Sequence, residues 1–143
     1  MKVLIQRVKN ASVKIGGEMY SSINAGILAL VGIEKGDTIA DIEKYSQKVV
    51  NLRIFPDEND KMNRSLIDIN GEMLIVSQFT LCGSCKKGTR PSFDNSAPPD
   101  IANELYETFV KEVSKHGIRT QTGKFGAMME VILINDGPVT FML

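Results

Sequence analysis

Gly26-Ile27-Leu28-Ala29-Leu30-Val31-Gly32-Ile33 is a near-continuous apolar run. A strand of this composition has no face to give to water, so it is expected to lie centrally in a sheet with cover on both sides. The segments around it are what can supply that cover. Upstream, Val3, Ile5 and Val8, then Val13 and Ile15, alternate loosely, and Gly16-Gly17 makes a turn, so residues 1–34 read as three strands. Downstream, Thr38 with Asp41 three residues later is a capping-box-like start, and Ile39, Ile42, Tyr45, Val49 and Leu52 keep one apolar face. That predicts a helix over 38–53. A second helix is predicted from about Pro99 to His116, with Pro at its start and Gly117 as its stop. Its Ile101, Leu105, Phe109 and Val113 fall four apart, and Ala102, Tyr106 and Val110 widen the stripe.

Between the helices, Gly71 to Phe79 reads as a strand that delivers Ser77 to Thr80 at its end. Leu81 to Pro98, rich in Gly, Ser, Asn and Pro, is expected to be an exposed loop of a length uncommon without a function. Two closing strands, around Met129–Ile134 and Val139–Leu143, are joined by Asn135-Asp136-Gly137-Pro138, itself a turn signal. Strands, helix, strand, helix, strands is the order of one α+β domain spanning 1–143. A chain of 143 residues suits one domain, and at this size roughly 68–70% of the unfolded surface is buried without help from a disulfide or metal.

Lys and Arg number 17 and so do Asp and Glu, giving zero formal net charge. Neutrality counts against a broad nucleic-acid surface and leaves room for a local one. The amino-terminal MKVLIQRVKNASV has a charged residue inside a short apolar run and no small-residue cleavage site, so no export signal is read there. No segment approaches the ~20 apolar residues of a membrane span. With two Cys in such a chain, a reducing, cytoplasmic location is expected.

Cys82-Gly83-Ser84-Cys85 has redox spacing, but Lys86-Lys87-Gly88-Thr89-Arg90-Pro91 after it is a poor helix, so the dipole that activates such a thiol is missing. Two Cys and one His fall short of a zinc ligand set, and the pair reads as ordinary loop thiols. His116, the one histidine, falls at a predicted helix C-terminus, where capping explains it better than a catalytic triad. Lys86, Lys87 and Arg90 lie in a stretch, Thr80 to Phe93, without acidic residues, and this stretch leaves directly from the Ser77–Thr80 strand end. A solvated loop is the default for three charges; a phosphate backbone held there would put its terminal nucleotide at that strand end.

Ser77-Gln78-Phe79-Thr80-Leu81 and, far downstream, Asn135-Asp136-Gly137-Pro138-Val139-Thr140 are each weak signals. Together they resemble the two signature motifs of the D-aminoacyl-tRNA deacylase family. The likeness extends through Ile5-Gln6-Arg7-Val8, Lys61 to Leu66, Lys87-Gly88 with Arg90-Pro91-Ser92-Phe93, Ala97-Pro98-Pro99, and Thr122 through Ala127 to Met129. It departs from the family pattern at Cys82–Cys85.

The resemblance implies a compact α+β domain with a mixed, strongly curved, barrel-like sheet and two main helices, working as a homodimer. It implies hydrolysis of the ester of D-aminoacyl-tRNA at sites on the dimer interface. It also implies a Gly137-Pro138 motif with a cis bond, inserted from one subunit into the other's pocket to reject L substrates, with Arg7 bracing it. Phe125 and Met129 are implied to join Ser77 and Gln78 in binding substrate.

An aminoacyl ester on ribose is already activated, so backbone N–H groups that stabilise the oxyanion can suffice without a strong nucleophile, metal or cofactor. Amides around Phe79 and Thr80 are expected to hold the carbonyl oxygen, with Ser77 and Gln78 orienting the terminal adenosine. The ribose 2′-hydroxyl can assist the attack. Rejection by blocking would spare many D side chains and glycine alike. The competing mechanism makes Thr80 a covalent nucleophile, which needs a base that the sequence does not offer. A catalytically silent RNA-binding or chaperone-like module, or a deacylase of altered chirality, are the other readings; intact Ser77-Gln78 and Gly137-Pro138 stand against both.

Overall fold

In the computed structural model, which describes residues 1–143, the elements in chain order are β1 (Lys2–Ile15), β2 (Glu18–Ile23), β3 (Gly26–Gly32), α1 (Ile39–Asn51), β4 (Phe55–Pro56), β5 (Met62–Arg64), β6 (Glu72–Ser77), a 3-10 turn (Phe79–Cys82), α2 (Pro99–Lys115), β7 (Arg119–Thr122) and β8 (Glu130–Met142). β3 is central: it pairs antiparallel with β1 and parallel with β6, which in turn pairs parallel with β7. Its alternate side chains serve different cores, as the period of two requires. Ile27, Ala29 and Val31 join Met73 and Ile75 of β6 under the two helices, against Ile42, Val49, Leu105 and Phe109. Leu28, with Leu74 and Val76, points the other way into a smaller core with Val8, Ala11, Val13 and Ile23. The expectation of a strand covered on both faces is met.

The smaller core exists because the sheet curls. β1 gives its first half to β3 (Lys2–Val8 against Gly32–Gly26) and its second half to β2 (Ala11–Ile15 against Ile23–Glu18) on the same edge. β2 is thereby swung toward the far end of the sheet, where the Ser21 hydroxyl donates to the Thr122 carbonyl of β7 at 2.7 Å. The result is a mixed, nearly closed, barrel-like sheet with both helices outside it. No helix is long and apolar enough to cross a membrane.

Both predicted helices form. Thr38 is the N-cap of α1, and a reciprocal capping box links its hydroxyl and backbone to the Asp41 backbone and carboxylate. The buried stripes begin one turn later than predicted, at Ile42 and Leu105, while Ile39 and Ile101 in the first turns are exposed.

Three expectations need correction. The strand predicted to reach Phe79 ends at Ser77, because its ladder to β3 ends at the Val31–Ser77 pair and the chain then turns. The two closing strands are one element, β8: both halves pair with β1, and Asn135–Pro138 is an outward excursion between them rather than a hairpin turn. Cys82 is a core residue rather than a loop thiol. β7 and the short β4–β5 pair were not anticipated from periodicity, since each is too short to show any.

Candidate active site

The site begins where β6 stops pairing. Gln78 N–H makes a last bond to the Val31 carbonyl (2.8 Å), and its backbone (φ −142°, ψ 80°) then leaves the strand for the 3-10 turn. Two features seat that turn on β3. Gly32 leaves it room: a Cβ there would sit 2.9 Å from Cys82 Sγ, 3.0 Å from the Gln78 oxygen and 3.1 Å from Leu81 Cβ. Cys82 is buried beneath, its thiol donating to the Ile33 carbonyl at 3.4 Å, and burial pushes that thiol's pKa up. An inert, protonated anchor is the consequence. Cys85 is exposed and not bonded to it. Outside the turn, the Phe79 ring leans on Phe93 with centroids 5.0 Å apart.

Seated this way, Phe79 and Thr80 are exposed, and they are the first two residues of the turn. Their amides precede its first internal bond, Leu81 N–H to Gln78 O (3.2 Å), and neither donates to any backbone or side-chain acceptor. The leading amides of such a turn point outward as unsatisfied donors. The Thr80 hydroxyl is bonded by the Gln78 carboxamide and by no titratable group.

Met129 packs near the end of β6 by way of Gly123, whereas Phe125 lines a cavity that Ser77, Gln78, Phe79 and Thr80 do not. Thr122 of β7 pairs with Ile75, and Gly123 N–H follows with a bond to the Ile75 carbonyl at 2.9 Å. Met129 lies over Gly123, whose missing Cβ would be 2.8 Å from its sulfur. Phe125 packs on Tyr106 with centroids 6.0 Å apart, and both line a cavity of about 340 Å³ together with Tyr20, Lys111 and Lys124. The Tyr106 phenol is engaged elsewhere, donating to the Ile75 carbonyl at 2.8 Å, and burial raises its pKa.

Gly137-Pro138 has a cis peptide bond. Arg7 Nε donates to the Asp136 carbonyl at 2.8 Å, and its Nη1 is tied to the Ile54 carbonyl at 2.6 Å, so the guanidinium bridges the excursion to the body of the chain. Arg7 pairs with Ile27, whereas the turn sits at the level of Gly32. Five residues of strand separate the two levels, about 16 Å at the usual rise. One chain therefore does not bring Gly137-Pro138 together with Ser77–Thr80.

Lys86, Lys87 and Arg90 are exposed and in no ion pair. Lys86 and Lys87 line a polar cavity of about 360 Å³ with Ser84, Ser92, Asp94 and Asn95, in a loop whose ends are joined by the Ser84–Ser92 backbone bridge; Arg90 is not among its lining residues. His116 is the exposed C-cap of α2 and borders neither cavity. Gly32, Cys82 and Phe93 were missed as supports of the turn. Only Gly32 left a trace in the sequence, as an interruption of the apolar run.

The family model described as D-Tyr-tRNA(Tyr) deacylase matches residues 4–143. A relative named D-aminoacyl-tRNA deacylase, from Thermosipho africanus (strain TCF52B), is 56% identical over the whole chain and 96% of its own length. Among solved structures, one described as c-Myc DNA unwinding element binding protein has a TM-score of 0.94 at 43% identity, covering 100% of this chain and 97% of that one. Another, described as a probable eukaryotic D-amino acid tRNA deacylase, has a TM-score of 0.87 at 17% identity, covering 99% and 97%, and shows the shared fold. Fold and relatives together define a hydrolase acting on the ester bond of aminoacyl-tRNA. The chain belongs to the D-Tyr-tRNA(Tyr) deacylase family. Its activity is D-aminoacyl-tRNA deacylation, which releases free tRNA and the D-amino acid.

Proposed function

We propose that the Phe79 and Thr80 amides form the oxyanion hole of this deacylation, and that Gly137-Pro138 of a second copy blocks L substrates. The observation that carries the first part is a pair of amides without acceptors, on two exposed residues at a strand end, beside a Thr hydroxyl that has no base. Water attacks the ester carbonyl, the two N–H groups take up the developing negative charge, and the ribose oxygen leaves after gaining a proton. Ser77 and Gln78 orient the terminal adenosine, Phe125 and Met129 complete its pocket, and the ribose 2′-hydroxyl assists the attack. Lys86, Lys87 and Arg90 hold the phosphate backbone leading to it. Thr80 as a covalent nucleophile ranks second, for want of an activating base.

The second part is supported by the separation of the two motifs along β1–β3. A homodimer supplies the missing reach. β8 pairs with β1 alone, and Ile132, Ile134 and Met142 are roughly half exposed along it, an apolar surface of the kind partners cover. A glycyl ester, with no side chain to block, is cleaved as well. The substrate pool places the protein in the cytoplasm. Light scattering and activity measured on the same fractions test the assembly: activity is expected to follow the dimer, and a fully active monomer contradicts it.

A further inference from the structure

β8 leaves its ladder for four residues. Its pairs with β1 run Asn135–Val8 and then Thr140–Gln6, so Asp136, Gly137, Pro138 and Val139 all stand opposite Arg7. Backbone groups at the neck of this excursion have lost their strand partners, and side chains replace them. Asn135 Oδ1 accepts from Val139 N–H at 2.6 Å, while its Nδ2 donates to the Val139 carbonyl at 3.3 Å and to Thr140 Oγ1 at 3.1 Å. A carboxamide presents a donor and an acceptor on one plane, as a peptide unit does. Here it serves as the missing strand neighbour of Val139. Val139 is only 6% exposed, so its backbone groups have little water to turn to if that neighbour is lost.

The excursion thus has two legs, each fixed separately. Arg7 holds the Asp136 carbonyl on the incoming leg. On the outgoing leg Asn135 holds Val139 and Thr140, and Gln6 Nε2 adds a bond to the same Thr140 hydroxyl at 3.2 Å. Gly137-Pro138 is the unit between the legs, and its direction follows from how they are pinned. We infer that Asn135 is a positioning residue for stereochemical rejection: by closing the neck it sets where Gly137-Pro138 projects. This rests on the reading of Gly137-Pro138 as the block against L side chains.

The side-chain chemistry picks the variants. Asn135→Asp keeps the shape and the acceptor but turns the donor into a second oxygen facing the Val139 carbonyl. Thr140→Val removes one partner at an exposed position and leaves both bonds to Val139. The test is single-turnover cleavage of D-alanyl- and L-alanyl-tRNA by wild type, Asn135→Asp, Thr140→Val and Pro138→Ala, with thermal unfolding of each.

For Asn135→Asp the D-to-L rate ratio is expected to fall about tenfold, the weight of a single net hydrogen bond. The fall should come from a rising L rate, with the D rate within about threefold of wild type. Thr140→Val should move the ratio the same way by less, and it carries the test if Asn135→Asp fails to fold. A residue that merely stabilises the fold would lower both rates together and leave the ratio unchanged; that result overturns the inference. If Pro138→Ala changes the ratio and the neck variants do not, the clamp is wrong and the rejection reading stands. If Pro138→Ala leaves the ratio unchanged, the rejection reading fails and takes the clamp with it.

Discussion

The Thr80 hydroxyl is bonded by a carboxamide, and its backbone N–H by nothing. That contrast decides what its side chain is worth. Thr80→Ala leaves the amide in place, so single-turnover cleavage of a D-aminoacyl-tRNA is expected to stay within about tenfold of wild type. A loss on the order of 10⁴-fold with a trapped acyl-enzyme would instead make Thr80 the nucleophile. The two cysteines differ in the same residue-by-residue way. Cys82→Ser puts a hydroxyl in a site 2% exposed beneath the turn, and is expected to cost about 1–3 kcal/mol in denaturant unfolding. Cys85→Ser, at an exposed position, should stay within about 0.5 kcal/mol of wild type; equal effects would contradict this. The C-x-x-C spacing shows two thiols and hides that one is core, because burial there comes from the distant Gly32 and Ile33. Arg7 was legible only through family likeness, since its acceptors, Ile54 and Asp136, lie far off in the chain.

Among elements, those specified by local chemistry were legible in the sequence. Thr38 and Asp41 are three residues apart and form the capping box that their spacing announces. Asp41 and Asp68 both have lowered pKa values, Asp41 chiefly because the Thr38 hydroxyl and then its N–H donate to the carboxylate, Asp68 chiefly through the Ser65 N–H and then its hydroxyl. With folded pKa values below unfolded ones, their stabilisation is complete above the unfolded carboxylate value, near about 4. It is lost as pH falls through the lower folded values. Thr38→Ala should therefore flatten the fall of unfolding free energy below about pH 4, as read by urea titration at several pH values; a curve parallel to wild type would contradict this. Elements set by long-range pairing were less legible. Asn135-Asp136-Gly137-Pro138 looks like a hairpin turn, yet both flanking segments pair with β1, more than 110 residues away in sequence. The loop carrying Lys86, Lys87 and Arg90 was legible as exposed and basic. Changing all three to Ala should weaken tRNA binding and reduce the slope of log K against log salt by up to about 2, if each meets one phosphate of a single strand. Unchanged binding across salt would leave the loop a solvated surface.

For the whole molecule, the apolar run at β3 dictates cover on both faces, and the curled sheet with outer helices provides it. What periodicity could not show is that the two motifs, brought to the surface by this fold, sit at different levels of the same sheet. The proposed rejection by a rigid block from a second copy draws its support from that separation, and glycine probes it because it carries nothing to block. Side-by-side single-turnover deacylation of D-alanyl-, glycyl- and L-alanyl-tRNA reads the difference of one methyl group against fixed backbone atoms. Glycyl-tRNA is expected to be cleaved along with D-alanyl-tRNA, and L-alanyl-tRNA to be left intact. Glycine grouping with L-alanine would mean that the site attracts D side chains instead, and would contradict rejection by Gly137-Pro138.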